Sequence, residues 1–315
     1  MVDRRIIAVT GATGAQGGGL VRALLSDPAQ QFAVRAITRN VKSDQAMQLR
    51  ESGAEVVAGD LDNLASLKDA FAGAYGAYCV TFFWEHFSPA KELAQIQNMA
   101  HAAREARMRH VIWSTLEDTR RWVPLRDNRM PTLMERYKVP HFDAKGEGDA
   151  IFAEVDVPTT CLWTSFYWDN LIHFGMGPKI GQSGKLEFVL PMADKKLPGI
   201  ASEDIGRCAL GVFRSPDEYL GRTVGIAGEH LTGEQMAAEL SVALGREVVY
   251  TYVPPEVYRG LGFPGAADLG NMFQFKRDFE SVFCGHRDLA TSRRLNPELQ
   301  TFAQWLARNK ERIPL

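Results

Sequence analysis

The run Ile6-Ile7-Ala8-Val9-Thr10, followed by Gly11-Ala12-Thr13-Gly14-Ala15-Gln16-Gly17, constrains this chain more than any other feature. A short apolar segment breaks into glycines three residues apart, and a helix-like stretch over residues 20–25 follows at once. Strand, tight turn and helix in that order form the phosphate-binding entrance of a dinucleotide fold. Glycine is required there because side chains block both the turn and the close approach of backbone to a pyrophosphate. The unpaired N–H groups at the helix start, and the helix dipole, then hold the negative charge. Gly11, Thr13, Gly14, Ala15, Gln16 and Gly17 are therefore candidate cofactor contacts. The competing reading, an ordinary glycine-rich turn, does not account for the strand before it and the helix after it.

The rest of the first half repeats the unit. Strands are expected at residues 5–10, 33–38, 55–58, 77–81 and 110–114, and helices at 15–26, 44–52, 63–72 and 89–106. Such alternation with right-handed crossovers gives a Rossmann-type, doubly wound parallel α/β sheet. Ligand groups then come from beyond the carboxyl ends of the strands, just after Val9, Ile37, Ala58, Val80 and Trp113. From 116 to 140 the pattern lapses into a charged, proline-bearing insertion, read as a mobile loop near the site or a disordered strap. A helix at 143–154 and a strand at 159–163 resume the pattern. Beyond residue 170 alternation stops: 175–184 is turn-rich, helices are expected at 202–213, 232–244 and 302–310, and a strand at 248–253. Thr232 and Gln235 fit a capping box. The expected division is residues 1–165 as the cofactor domain and 166–315 as a smaller α/β C-terminal lobe forming the other wall of a cleft.

Composition narrows the function classes. The 315 residues carry a formal net charge of −2, which offers no electrostatic footprint for direct nucleic-acid binding. No apolar run approaches the roughly 18 residues that span a bilayer, and Met1 leaves no room for a signal peptide before the first strand. The four cysteines are far apart, as in a reduced, cytoplasmic protein, and the seven histidines form no ligand pattern, so no metal is expected.

The end of the second strand selects the nucleotide. NAD-selective folds place Asp or Glu there to bind the ribose 2′-hydroxyl, whereas an arginine accommodates a 2′-phosphate. Residues 31–43 contain no acid, and the strand runs through Thr38 into Arg39-Asn40, with Lys42 just beyond. Arginine meets a phosphate through charge-assisted hydrogen bonds worth about 1.5–3 kcal/mol, so the expected cofactor is NADP(H). Asp60-Leu61 follows the third strand, where a carboxylate can accept from the adenine amino group or cap the next helix. Thr81, Phe82, Phe83 and Trp84 follow the fourth strand and can wall the nicotinamide or simply pack.

These residues resemble the NmrA-like family of atypical short-chain dehydrogenases/reductases, in particular its NADP(H)-sensing redox-sensor members. The likeness runs through residues 11–18, 38–40, 53–57 and Gly59-Asp60, then His141-Phe142-Asp143-Ala144-Lys145-Gly146-Glu147 and Tyr167-Trp168-Asp169-Asn170-Leu171. Its most specific part is Gly262-Phe263-Pro264-Gly265-Ala266-Ala267-Asp268-Leu269-Gly270-Asn271-Met272-Phe273. The resemblance implies further cofactor contacts from Lys145, Tyr167 and Asn170. Relatives can carry another contacting lysine early in the helix after the fourth strand; Ala94-Gln95 stands there, with Lys91 nearby.

Catalysis in short-chain dehydrogenases uses a tyrosine four residues before the lysine, and a serine. Ser114 and Lys145 fit, but His141 replaces the tyrosine, and Tyr137 is eight residues away. A neutral imidazole can still donate a proton. Two classes follow. The missing tyrosine favours a redox sensor or regulator that reads NADPH/NADP⁺ through contacts with a partner protein. The alternative is an NADPH-dependent oxidoreductase acting on quinones or other unsaturated carbonyl compounds, with aromatic residues within 163–168 lining its pocket. A monomer or homodimer suits either.

Overall fold

The computed structural model describes residues 4–181 and 184–315. Met1 and its two successors, and residues 182 and 183 of the turn-rich stretch, lie outside the described residues. The chain divides into two compact units. The first comprises residues 1–118, 141–164 and 205–224, and the second 119–140, 165–204 and 225–315.

In the first unit, β1 (Arg5–Val9), β2 (Phe32–Thr38), β3 (Glu55–Ala58), β4 (Gly76–Cys79), β5 (His110–Thr115) and β6 (Thr159–Trp163) are linked through α1 (Ala15–Leu25), α2 (Asp44–Glu51), α3 (Leu64–Phe71), α4 (Pro89–Glu105) and α5 (Pro140–Glu154). They pair in parallel in the order β3-β2-β1-β4-β5-β6, and the short strand Thr223–Gly225 closes the β6 edge. β1 pairs with both β2 and β4, so the strand order reverses there. The carboxyl ends of β1 and β4 thus flank the crevice where doubly wound sheets take ligands. β4 and β5 are buried along their whole length, as expected of parallel strands covered on both faces. The core beside them gathers Phe71, Ile96, Met99, Trp113 and Phe152.

Local signals explain the boundaries. Ser43, Asn63 and Ser88 cap α2, α3 and α4 by accepting from the third backbone N–H onward. Proline at the first position of α4 supplies the φ a helix start needs.

The described residues of the second unit form two three-stranded sheets. One orders Glu229–Leu231, Leu197–Ile200 and Phe166–Tyr167, the other Val248–Tyr252, Leu186–Leu190 and Lys179–Ile180. Thr232 and Gln235 form the expected capping box ahead of Gly233–Leu244, and Thr301 with Gln304 form another. The insertion differs from the sequence expectation of a mobile or disordered segment. Val123, Met130, Tyr137, Lys138 and Val139 are buried. The Lys138 ammonium donates to the carbonyls of Asp127 and Met130, both at 2.7 Å. Asn271, from helix Ala266–Asp278, donates to the carbonyls of Pro131 (2.9 Å) and Lys138 (2.6 Å), and Gln274 to that of Arg129 (2.7 Å). The insertion is a packed strap: buried backbone acceptors need partners, and the side chains of that helix provide them.

Candidate functional site

The glycine turn is built as a cradle. Gly11 has φ +59°, a conformation costly for residues with a Cβ. A Cβ on Gly17 would stand 2.4 Å from the Gly11 carbonyl oxygen and 2.6 Å from that of Thr10, both backbone atoms that cannot move aside. The Gly14 N–H closes the turn onto the Gly11 carbonyl at 2.8 Å. Helix α1 then begins with Gly14 in the capping position, no side-chain cap and no acidic residue in its first turn. Its leading N–H groups therefore face outward with an unneutralised dipole, the arrangement that accepts a phosphate. Ala15 lies exposed in that first turn, and Thr13 is half-buried. Gln16 does not point away from the sheet. Its side-chain oxygen accepts from the Tyr78 hydroxyl at 2.6 Å and the Ser114 hydroxyl at 2.7 Å, fixing the start of α1 to β4 and β5. Ser114, the candidate substrate-holding serine, is thus engaged with the glycine turn.

At the far side of the crevice, Arg39 leaves the end of β2 exposed and pairs through Nη1 with Glu85 Oε1 at 2.6 Å. The Glu85 hydrogen bond and charge raise the Arg39 pKa above its ordinary value, burial opposes, and Asp60 and Asp62 add to the rise. Asn40 shapes the turn: its side-chain oxygen accepts the Lys42 N–H at 3.0 Å, leaving the Lys42 side chain exposed. Asp60 is half-buried and accepts the Asp62 N–H at 3.0 Å. Leu61 is half-buried, and its carbonyl is held by Asn98 at 2.8 Å. Near the place where relatives can carry a lysine, Gln95 donates to Asp62 at 2.9 Å, and Lys91 pairs with Asp62 at 2.9 Å.

The third group surrounds Lys145. Its ammonium lies 2.8 Å from Glu92 Oε1, donates to the Thr81 hydroxyl and faces the Trp113 ring at 5.1 Å. The Thr81 hydroxyl in turn donates to the same Glu92 oxygen. His86 accepts the Ser88 N–H on Nδ1, and its Nε2 lies 3.3 Å from Glu92 Oε2. Glu92 is fully buried. Burial pushes its pKa upward most strongly; the Lys145 charge, then contacts from His86, Lys145 and Thr81, together outweigh it and hold the carboxyl at about 2. Nothing in the sequence pattern singles out Glu92 or His86 as members of this site. The available signal was an acid on the apolar stripe of α4, in register with Gln95, Ile96 and Met99.

Helix α5 starts at Pro140, so His141 and Lys145 share one face, as the four-residue spacing requires. His141 is 5% exposed and lies among rings, with centroids of Trp84 at 4.6 Å, Phe142 at 4.9 Å and Phe83 at 6.0 Å. Phe82 is exposed and Phe83 buried. Tyr167 and Asn170 belong to the second unit, Tyr167 in the strand Phe166–Tyr167 and Asn170 opening the turn Asn170–His173; the neighbouring Asp169 accepts the Ser202 N–H at 2.8 Å.

The chain is 28% identical over 290 residues to the NmrA-like family domain-containing oxidoreductase FrzB of a Cladobotryum species, covering 86% of this chain and 83% of the relative. Among solved structures it is similar to NmrA, a negative transcriptional regulator, with a TM-score of 0.79 and 22% identity over 97% of this chain and 95% of that one; NmrA has also been solved in complex with NADP. It is similar as well to Citrobacter triphenylmethane reductase complexed with NADP(H), with a TM-score of 0.75 and 22% identity over 96% and 99% of the two chains. No described helix is long and apolar enough to cross a membrane. The family model matches residues 3–306, and the chain belongs to the NmrA-like family.

Proposed function

We propose that this protein binds NADP(H) on its first unit and reduces a small apolar acceptor, a quinone or another unsaturated carbonyl compound. The observation that carries the reading is the combination of an uncapped glycine cradle with a buried lysine, Lys145, fixed beside Thr81 just beyond β4. The turn from Gly11 to Gly17 holds the pyrophosphate. Arg39, with Asn40 and Lys42, holds the 2′-phosphate, and Asp60 with Leu61 borders the adenine. Lys145 and Thr81 hold the nicotinamide ribose, and Phe82 and Phe83 keep water from it. When bound, NADPH supplies the hydride. The chain's own contribution is positioning, which alone can account for a large part of a barrier. A reduced quinone oxygen takes its proton from water, so the reaction does not require a tyrosine before Lys145. The oxidoreductase relative and the reductase of the same fold support this reading.

A second reading, nucleotide sensing with a partner protein, draws on the burial of His141 among rings, which leaves no exposed proton donor four residues before Lys145. One experiment separates the two. NADPH oxidation is followed by absorbance against a panel of quinones and enones, with wild type beside His141→Ala and Lys145→Ala, and with folding checked by circular dichroism. Turnover in wild type that persists in His141→Ala and is lost in folded Lys145→Ala is the expected result. Tight NADPH binding with no turnover on any acceptor overturns the reductase reading in favour of sensing.

A further inference from the structure

The second strand ends without the acid that usually takes the adenosine ribose hydroxyls, yet the fold delivers one to that place from another segment. Glu85 closes the 3-10 turn Phe83–Glu85 after β4, 46 residues along the chain from Arg39, and its Oε1 stands 2.6 Å from Arg39 Nη1. Two other acids act on Arg39, Asp60 and Asp62, but both are committed elsewhere. Asp60 accepts the Asp62 N–H, and Asp62 is held by Gln95 and Lys91. Among the described residues Glu85 makes no other side-chain hydrogen bond, and it is 47% exposed against 64% for Arg39.

We propose that Glu85 sets the nucleotide preference of this site: its carboxylate accepts from the ribose hydroxyls of NAD(H), and it must yield Arg39 to the 2′-phosphate of NADP(H). The inference rests on the dinucleotide reading above and adds to it the residue that opposes Arg39. The chemistry follows from the two ligands. A ribose diol presents donors, which an ionised carboxylate accepts while still bridged to the guanidinium. A 2′-phosphate presents only acceptors and negative charge, so it is attracted to Arg39 and repelled by Glu85. An exposed ion pair contributes little and exchanges partners readily. The pair therefore makes a site open to both nucleotides, with a preference for NADP(H) that Glu85 holds in check.

The test is the ratio of dissociation constants for NADH and NADPH, measured by titration calorimetry on wild type, Glu85→Gln, Glu85→Ala and Arg39→Ala. Both Glu85 variants are expected to tighten NADPH several-fold and weaken NADH several-fold, moving the ratio about tenfold toward NADPH. Arg39→Ala moves it the other way. A ratio unchanged in both Glu85 variants, or shifted toward NADH, with nucleotide binding intact, overturns the proposal alone. A wild-type protein that binds neither nucleotide overturns the dinucleotide reading, and this proposal with it.

Discussion

Two ion pairs in the first unit have almost the same length and opposite surroundings. Arg39 and Glu85 meet at 2.6 Å with side chains 64% and 47% exposed; Lys145 and Glu92 meet at 2.8 Å with side chains 11% and 0% exposed. Distance alone does not rank them. Water screens the first pair, which makes it weak and exchangeable. The second lies in a low-dielectric interior where each charge depends on the other, on the Thr81 hydroxyl and on the His86 ring. The contrast separates two tasks. An exposed pair can part for a ligand, while a buried one holds its members still whether or not a ligand is present.

The largest expected effect comes from breaking the buried pair on one side. Glu92→Gln leaves the Lys145 ammonium inside without its counter-charge, and removing one member of a buried pair costs about 3–5 kcal/mol. Partial exposure of Lys145 places the expectation near the lower end, read as a fall in the denaturation midpoint with an unchanged denaturant slope. The double variant Glu92→Leu/Lys145→Met removes both charges and is expected to recover most of that loss. A single-variant cost below about 1 kcal/mol would mean that the buried charges do not depend on each other.

Acid should act on the same pair. Glu92 is held at about 2, below the ordinary carboxylate value of 4.5. A folded-state pKa lowered in this way contributes stability that is complete above the unfolded value, and that is lost as pH falls through the folded one. Stability should therefore decline between about pH 4.5 and 2, and Glu92→Gln should flatten that limb. An equally steep acid limb in the variant would assign the decline to other carboxylates.

The two pairs also show how far the sequence could be read. The strands and helices of the first unit, the end of β2 and the exposed Arg39 follow from local periodicity, caps and one topological rule. Neither glutamate does. Glu85 and Glu92 lie 46 and 53 residues from Arg39 and Lys145, separations for which periodicity carries no information. Glu92 left one trace, an acid on a buried stripe, which reads equally as an error in the stripe. The order of the strap is illegible in sequence for a related reason. Its charges and prolines look solvated, but its carbonyls are paired by Asn271 and Gln274, more than 130 residues away. Helix Ala266–Asp278 was itself hidden, because nine of its residues are buried and no polar face marks its period. Only the family resemblance singled out Asn271, and it gave no role; the structure supplies one in holding the strap.

The smallest expected effect on stability belongs to Arg39→Ala. An exposed pair of this kind contributes about 0–1 kcal/mol, so the melting temperature should move by no more than about 2 °C in a chain of this size. Loss of one charge-assisted contact to the 2′-phosphate should nevertheless weaken NADPH binding about ten- to hundredfold. Raising the salt should narrow that difference, since the arginine is solvent-exposed and screened. The buried pair predicts the reverse pattern, a large fall in stability that salt barely changes. If Arg39→Ala unfolded the protein as readily as Glu92→Gln, exposure would not be what separates the two pairs, and Arg39 would be a structural residue. If it changed neither stability nor NADPH affinity, Arg39 and Glu85 would be an ordinary surface contact, and the nucleotide preference would have to come from Lys42 and Asn40 at the same turn.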